Sequence, residues 1–176
     1  MDFNDGDLGL TFEDGQMSLF EPLQLHFHSP SEHTVAGKYY DVELHIVHKY
    51  KSSDGELGAV IAVFFDREKG GNYENEFINS LNFEEAEREG VPVTNVNFHT
   101  FMSKIDTENY WSYNGSLTTP PCTEGIKWTV LSDVQNISDT QLNGMAKWFS
   151  HDHGFAEGKG NNRMIQPLND RTVYWA

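Results

Sequence analysis

Three histidines, a glutamine and a glutamate fall at spacings that could hold a metal ion. In Leu25-His26-Phe27-His28 two imidazoles stand one residue apart. On an extended strand, residues i and i+2 project to the same face roughly 7 Å apart. From there two rings can reach one zinc ion at Zn–N distances of about 2.0–2.1 Å. Glu43-Leu44-His45 offers a third imidazole, and Pro30 and Gly37 within Ser29 to Asp41 give the chain room to reverse. Three neutral histidines leave a fourth tetrahedral position to water, the arrangement of catalytic rather than structural zinc. Zinc acidifies such a water enough to yield hydroxide at neutral pH. Gln24 and Glu43 each share strand parity with a histidine two positions away, so each can fix the outward ring nitrogen. Spacing alone leaves a second reading open, in which these are core histidines satisfied by ordinary hydrogen bonds. His33, His48 and His99 read that way. His151 and His153 read as surface residues near a helix end, where the dipole favours them.

These residues need strands to position them, and strand signals dominate the chain. Leu8, Leu10 and Phe12 alternate, Glu13-Asp14-Gly15 makes a turn, and Leu23, Leu25 and Phe27 alternate again. Tyr40 to Val47 forms a further strand with Val42, Leu44 and Ile46 on one side and Glu43 and His45 on the other. Ala59 to Phe65 is nearly continuous in apolar residues, as in a strand buried on both faces. Tyr110 to Tyr113 and Ile126 to Leu131 complete the stronger strands. Two segments read as helices. Ser138-Asp139-Thr140-Gln141 has the capping-box pattern, ahead of an apolar face of Leu142, Met145, Ala146 and Phe149. A second, acidic helix runs from about Glu74 to Glu89, with Phe77, Ile78 and Leu81 as its stripe, ended by Gly90 and Pro92. The fold class is mainly β (α+β). Residues 1–176 form one domain on a large, mostly antiparallel sheet with a few peripheral helices.

Composition sets the partners. With 38% hydrophobic and 13% aromatic residues the chain can build a core, and its 176 residues suit a single domain. No apolar run approaches the roughly 20 residues of a membrane-spanning helix. Met1 to Asp5 has neither the basic start nor the apolar stretch of a secretory signal. A net charge of −15 disfavours nucleic acid and anionic membrane surfaces. The acids cluster at Asp2, Asp5, Asp7, Glu13 and Asp14 and at Glu84, Glu85, Glu87 and Glu89, and read as a solvated face. The single Cys122 has no intrachain partner, which by count alone fits a reducing compartment.

Longer motifs narrow the chemistry. His26-Phe27-His28-Ser29-Pro30-Ser31-Glu32-His33-Thr34 with Glu43-Leu44-His45-Ile46-Val47-His48 resembles the metal-binding region of α-carbonic anhydrases. Tyr113-Asn114-Gly115-Ser116-Leu117-Thr118-Thr119-Pro120-Pro121-Cys122 resembles that family's active-site loop. Asn161-Asn162-Arg163 and Gln166-Pro167-Leu168 resemble its C-terminal signature. Ser29-Pro30, in place of the Trp-Gly common in vertebrate members, is similar to plant, algal, protist and bacterial forms. The acidified zinc water invoked above is best known from this family. The resemblance implies a twisted sheet of the family's type, with zinc on His26, His28 and His45 and Gln24 and Glu43 behind them. It implies that Thr118 accepts a hydrogen bond from the attacking hydroxide and donates one to Glu32. Thr119 would line the bicarbonate position, and the Thr118 N–H would meet developing negative charge. Val47, Val60, Leu117, Ile126 and Trp128 match the apolar pocket for carbon dioxide, a wall suited to an uncharged substrate. The reaction implied is reversible hydration of carbon dioxide to bicarbonate and a proton.

The resemblance also implies that this domain is incomplete at its N-terminus. Family members carry, before the position matching Met1, a Ser-Pro-Ile-Asn-like motif, further strands and in many cases a proton-shuttling histidine. In exported members the cysteine that pairs at the Cys122 position belongs to that stretch, so cysteine count no longer argues for the cytosol. The family's usual setting is secreted, periplasmic or in an organellar lumen. Two expectations follow: self-association or a protein partner at the face left by the missing strands, and turnover limited by proton release. Competing readings are a non-catalytic binding or structural subunit that retains the zinc site, and ester hydrolysis as a side activity.

Overall fold

Apolar–polar alternation becomes pleated sheet in a computed structural model that describes residues 8–11, 17–52, 55–83, 96, 98–150 and 160–176. Seven strands follow in chain order: β1 (Leu8–Thr11), β2 (Met17–His28), β3 (Val42–Tyr50), β4 (Leu57–Phe65), β5 (Tyr110–Ser116), β6 (Glu124–Leu131) and β7 (Tyr174–Trp175). They form one sheet in the order β1-β2-β3-β4-β6-β5-β7. Every neighbouring pair is antiparallel except β4 and β6, which run parallel. The mostly antiparallel architecture expected from the sequence is therefore present. β7, two residues paired with Trp111 and Ser112, is too short to have announced itself as a period.

β3 and β4 are buried on both faces, which gives the sheet two apolar layers. On one face Val42, Leu44, Ile46, Val63 and Phe65 pack beneath three helices, α1 (Glu76–Ser80), α2 (Phe98–Met102) and α3 (Asp139–Ser150). Phe77 and Phe101 stack there at 4.1 Å between ring centroids. Burying such a side chain stabilises the fold by roughly 1.5–3 kcal/mol. On the opposite face Val47, Val60, Ala62, Phe64, Ile126, Trp128 and Val130 form a second layer. Glu43 and His45 project from β3 on this second face, as strand parity requires.

The helix ends have identifiable causes. At α3 the reciprocal cap expected from Ser138 and Gln141 is formed. Gln141 N–H donates to Ser138 Oγ and Ser138 N–H to Gln141 Oε1, both at 3.2 Å. α1 is shorter than the helix expected over Glu74 to Glu89. Asn75 caps it, accepting from the N–H groups of Phe77 and Ile78 at 3.0 and 3.3 Å. Asn82, in the left-handed region at φ 53°, ends it. α2 has too few residues to show a period. His99 lies on it and is exposed, not a core histidine. The expectations for Phe12, the Glu13-Asp14-Gly15 turn, the two acidic clusters, Gly90, Pro92, His151 and His153 lie outside the described residues.

His48 is a core histidine, 5% exposed, and its Nδ1–H donates to the Ile46 carbonyl at 2.9 Å. Burial pulls its pKa from 6.5 to about 4 against the weaker pull of that carbonyl. The native state therefore keeps it neutral while the unfolded chain takes up a proton below pH 6.5. Its stabilising contribution is complete above pH 6.5 and is lost as pH falls towards 4, on the order of 3 kcal/mol across that window. Denaturant titrations at pH 7 and pH 4.5 are expected to show a steeper loss of stability in the wild type than in His48→Gln. Equal losses would contradict this account of His48.

Candidate metal centre

The β2–β3 register carries the site. His26 lies directly across from His45, and His28 across from Glu43. Ring centroids are 5.0 Å apart for His26 and His28, 5.2 Å for His26 and His45, and 4.6 Å for His28 and His45. One nitrogen from each of the three rings lies within 4.8 Å of the other two. The expected triad is thus brought together.

Hydrogen bonds decide which nitrogens are free. His26 Nδ1–H donates to Gln24 Oε1 at 3.0 Å, His28 Nδ1–H to the Asn161 carbonyl at 3.1 Å, and His45 Nε2–H to Glu43 Oε1 at 2.8 Å. That leaves His26 Nε2, His28 Nε2 and His45 Nδ1 as lone-pair donors. His28 Nε2 is buried with no hydrogen-bond partner, an arrangement that costs free energy unless something else satisfies it. A metal ion supplies what is missing, so the residues fit one. Electrostatics agree. Burial first, then the neighbouring His45 and His28, pushes His26 down to about 3. Burial and then His45 push His28 down as well. Rings that resist protonation are in the form that binds metal.

Glu43 is fully buried and anchors the group. Its Oε2 accepts the backbone N–H of Glu32 and of His33, each at 2.8 Å, and its Oε1 accepts His33 Nδ1–H at 2.5 Å beside the His45 bond. Burial opposes its charge, but His33 and then His45 hold the carboxyl well below the usual range. His33, Glu43 and His45 also cluster closely enough to hold a metal. There, however, both rings aim at the same carboxylate oxygen, so the trio is a hydrogen-bond network. His33 is in consequence a satisfied histidine, though its partners belong to the site.

The other expected residues are placed as follows. Glu32 Oε1 accepts the Arg163 N–H at 2.6 Å, while Glu32 Oε2 is buried without a partner, 3.9 Å from His45 Nδ1. Thr118 is half-buried and lines a cavity of about 480 Å³ with Glu32. Among the described residues no hydrogen bond joins it to Glu32. Thr119 is exposed, and its carbonyl accepts the Cys122 N–H at 2.9 Å. Val47, Val60, Ile126 and Trp128 are each 2% exposed or less and pack together, with Leu117 against them. Trp128 reaches His45, ring centroids 4.8 Å apart. None of these five lines the cavity, which opens instead among Phe64, Trp111, Tyr113 and the Arg163 to Val173 segment. Asn161 was visible as part of a motif: its carbonyl meets His28, and its side chain holds it there, accepting the Ser29 N–H at 2.8 Å and donating to the Phe27 carbonyl at 2.9 Å. Tyr113, bonded to His33 Nε2 at 2.7 Å, was visible as the end of a strand and the first residue of a loop motif, with no signal for that bond.

Comparison with known proteins bears on this geometry. The family model of eukaryotic-type carbonic anhydrase matches residues 2–176. A carbonic anhydrase of Klebsiella pneumoniae is 42% identical over 153 residues, covering 85% of this chain and 55% of that protein. Alpha carbonic anhydrase 7 of Arabidopsis thaliana is 33% identical, covering 96% and 60% respectively. The crystal structure of a halotolerant carbonic anhydrase from Dunaliella salina matches with a TM-score of 0.78 at 33% identity, over 92% of this chain and 62% of that one. The chain therefore spans 55% and 60% of the length of these two curated relatives.

Competition with a chelating dye is expected to show one zinc site per chain. Outer hydrogen-bond partners of metal ligands typically change affinity by about 10–100-fold, so Gln24→Ala and Glu43→Gln should each weaken binding within that range. Unchanged affinity in Glu43→Gln would contradict the arrangement.

Proposed function

This chain belongs to the eukaryotic-type carbonic anhydrase family, and on that premise we propose that it hydrates carbon dioxide reversibly to bicarbonate and a proton. The ion would be zinc, held by His26 Nε2, His28 Nε2 and His45 Nδ1. The observation that carries the reading is the set of three convergent nitrogens, each on a ring whose other nitrogen is tied to a fixed acceptor. Zinc, when bound, supplies the Lewis acidity that makes a water nucleophilic near neutral pH, as is established for carbonic anhydrases.

The chain's own residues then orient and enclose. Thr118 is proposed to accept a hydrogen bond from the attacking oxygen and to donate its own hydroxyl hydrogen to Glu32. Support comes from Glu32 Oε2, a buried acceptor that lacks a donor. The Thr118 N–H would face the oxygen on which charge develops, and Thr119 would border the bicarbonate. Val47, Val60, Leu117, Ile126 and Trp128 would give carbon dioxide an apolar wall. Their contiguity and the approach of Trp128 to His45 support that assignment.

A second reading has an observation of its own. Four of the five wall residues are 2% exposed or less, and none of the five lines the cavity beside Glu32 and Thr118. A module that holds zinc without turning over carbon dioxide fits both facts. Self-association is part of either reading, since Met17, Leu19 and Leu23 of β2 are 67%, 44% and 42% exposed.

Stopped-flow hydration with zinc content measured on the same sample separates the two. Hydration is expected with one zinc per chain, lost in His45→Ala and reduced roughly 100-fold in Thr118→Ala, the scale of a misoriented reactant. Stoichiometric zinc without hydration would overturn the enzymatic reading in favour of the binding module.

A further inference from the structure

On the face of the sheet opposite the histidines, three buried polar side chains stand together with no hydrogen-bond partner among the described residues. Trp128 lies on the histidine side, where it meets His45, so strand parity sends its neighbours Lys127 and Thr129 to the other side. The β5–β6 register sets Ser112 across from Thr129 and Asn114 across from Lys127, and β7 adds Tyr174 beside Ser112. We propose that Lys127, Thr129 and Ser112 form a second binding site, separated from the metal centre by the sheet, for a small inorganic oxyanion such as bicarbonate or sulfate.

Charge and burial carry the argument. Lys127 and Thr129 are each 8% exposed and Ser112 is 9% exposed. A lysine this enclosed normally has a counter-charge. Among the described residues no carboxylate pairs with Lys127, although the chain has 27 acidic residues against 12 basic ones. Its ammonium has only the Tyr174 ring, 5.9 Å away at the centroid and near the limit of a cation–π contact. The strand on the other side supplies no acceptor, since β4 sets Ala59 beside Lys127 and Ile61 beside Thr129.

The site can be entered. Among the described residues the two polar atoms that are both sealed and unpartnered belong to His28 and Glu32. The ammonium and the two hydroxyls therefore keep access to solvent, and Asn114 beside them is exposed. Paired residues on adjacent strands stand about 4.5–5.5 Å apart, and residues i and i+2 about 7 Å. Three donors in so small a triangle suit an ion of three or four oxygens. An oxyanion brings acceptors only, which complements a set of donors, and its bond to an ammonium is of the stronger, charge-assisted kind. The net charge of −15 opposes anions at long range, but beyond about 8–10 Å salt screens it, so binding is expected to be weak and saturable.

Amide 1H–15N spectra of the zinc-loaded chain would be titrated at constant ionic strength with sulfate and, separately, with bicarbonate. The expected result is saturable shifts at Ser112, Lys127 and Thr129 with at least one of the two anions. Lys127→Met keeps the stem and removes the charge, and should weaken binding roughly tenfold or more, the effect of a hydrogen bond to a charged group. Thr129→Val should weaken it roughly fivefold and stands in if Lys127→Met does not fold. Lys104→Met, at an exposed lysine paired with Glu76, should bind as the wild type does. Thermal unfolding gives a second readout: the anion should raise the melting temperature of the wild type and not that of Lys127→Met. Shifts that grow linearly with both anions, shifts confined to residues around His26, His28 and His45, or wild-type affinity in both site variants would each overturn the proposal. The site needs no zinc, so the same shifts are expected in the zinc-free chain, and a failed metal centre would leave them in place.

Discussion

A carboxylate with no exposure to solvent must be paired on every side or it is costly to bury, and Glu43 is such a group. Three of its four hydrogen bonds come from residues 32 and 33, and the fourth comes from His45 on β3 itself. Two are backbone N–H groups of residues 32 and 33, which fold the segment after β2 back against β3. The other two are the imidazoles of His33 and His45. The same charge that makes the segment fold back therefore also orients a metal ligand. Slipping β3 by one residue would send Glu43 and His45 to the helix-covered face, leaving the carboxylate among Phe77, Phe101 and Met145.

That dependence explains why the sheet needs two different faces. The helix-covered face is dominated by apolar packing and supplies stability. The other face mixes aromatic and aliphatic packing with a polar cluster, and β3 contributes to both. The parallel pairing of β4 with β6 sets Val60 beside Trp128. From there Trp128 reaches His45 and His33, and its Nε1–H is satisfied by the Ser116 carbonyl at 3.0 Å. A tryptophan so placed is apolar towards the imidazoles and polar only at its far end.

Local chemistry was legible in the sequence, and contacts across the chain were not. Alternation placed the strands, and Ser138 with Gln141 placed the start of α3. Parity placed Glu43 and His45 on the face opposite Val42, Leu44 and Ile46. The pairing of His26 with His45 followed from one hairpin. What escaped depends on distant chain. β7 is two residues that matter only because β5 is beside them. The Asn161 carbonyl reaches His28 from 133 residues away, and a backbone acceptor is the same in every residue type. His33 was correctly read as a histidine satisfied by hydrogen bonds, but its tie to Glu43 and Tyr113 appears only once the four strands from β3 to β5 are assembled. His99 was expected inside and is exposed, because α2 is a single short turn of helix with Phe101 as its buried residue.

The central claim is that three imidazoles, aimed by their outer hydrogen bonds, form one metal site. X-ray absorption at the zinc edge of the zinc-loaded chain tests it most directly. The account predicts three imidazole nitrogens and one further light atom at about 2.0–2.1 Å, with no sulfur at about 2.3 Å. A first shell with fewer than three imidazoles, or with a carboxylate or the Cys122 sulfur in their place, would contradict it.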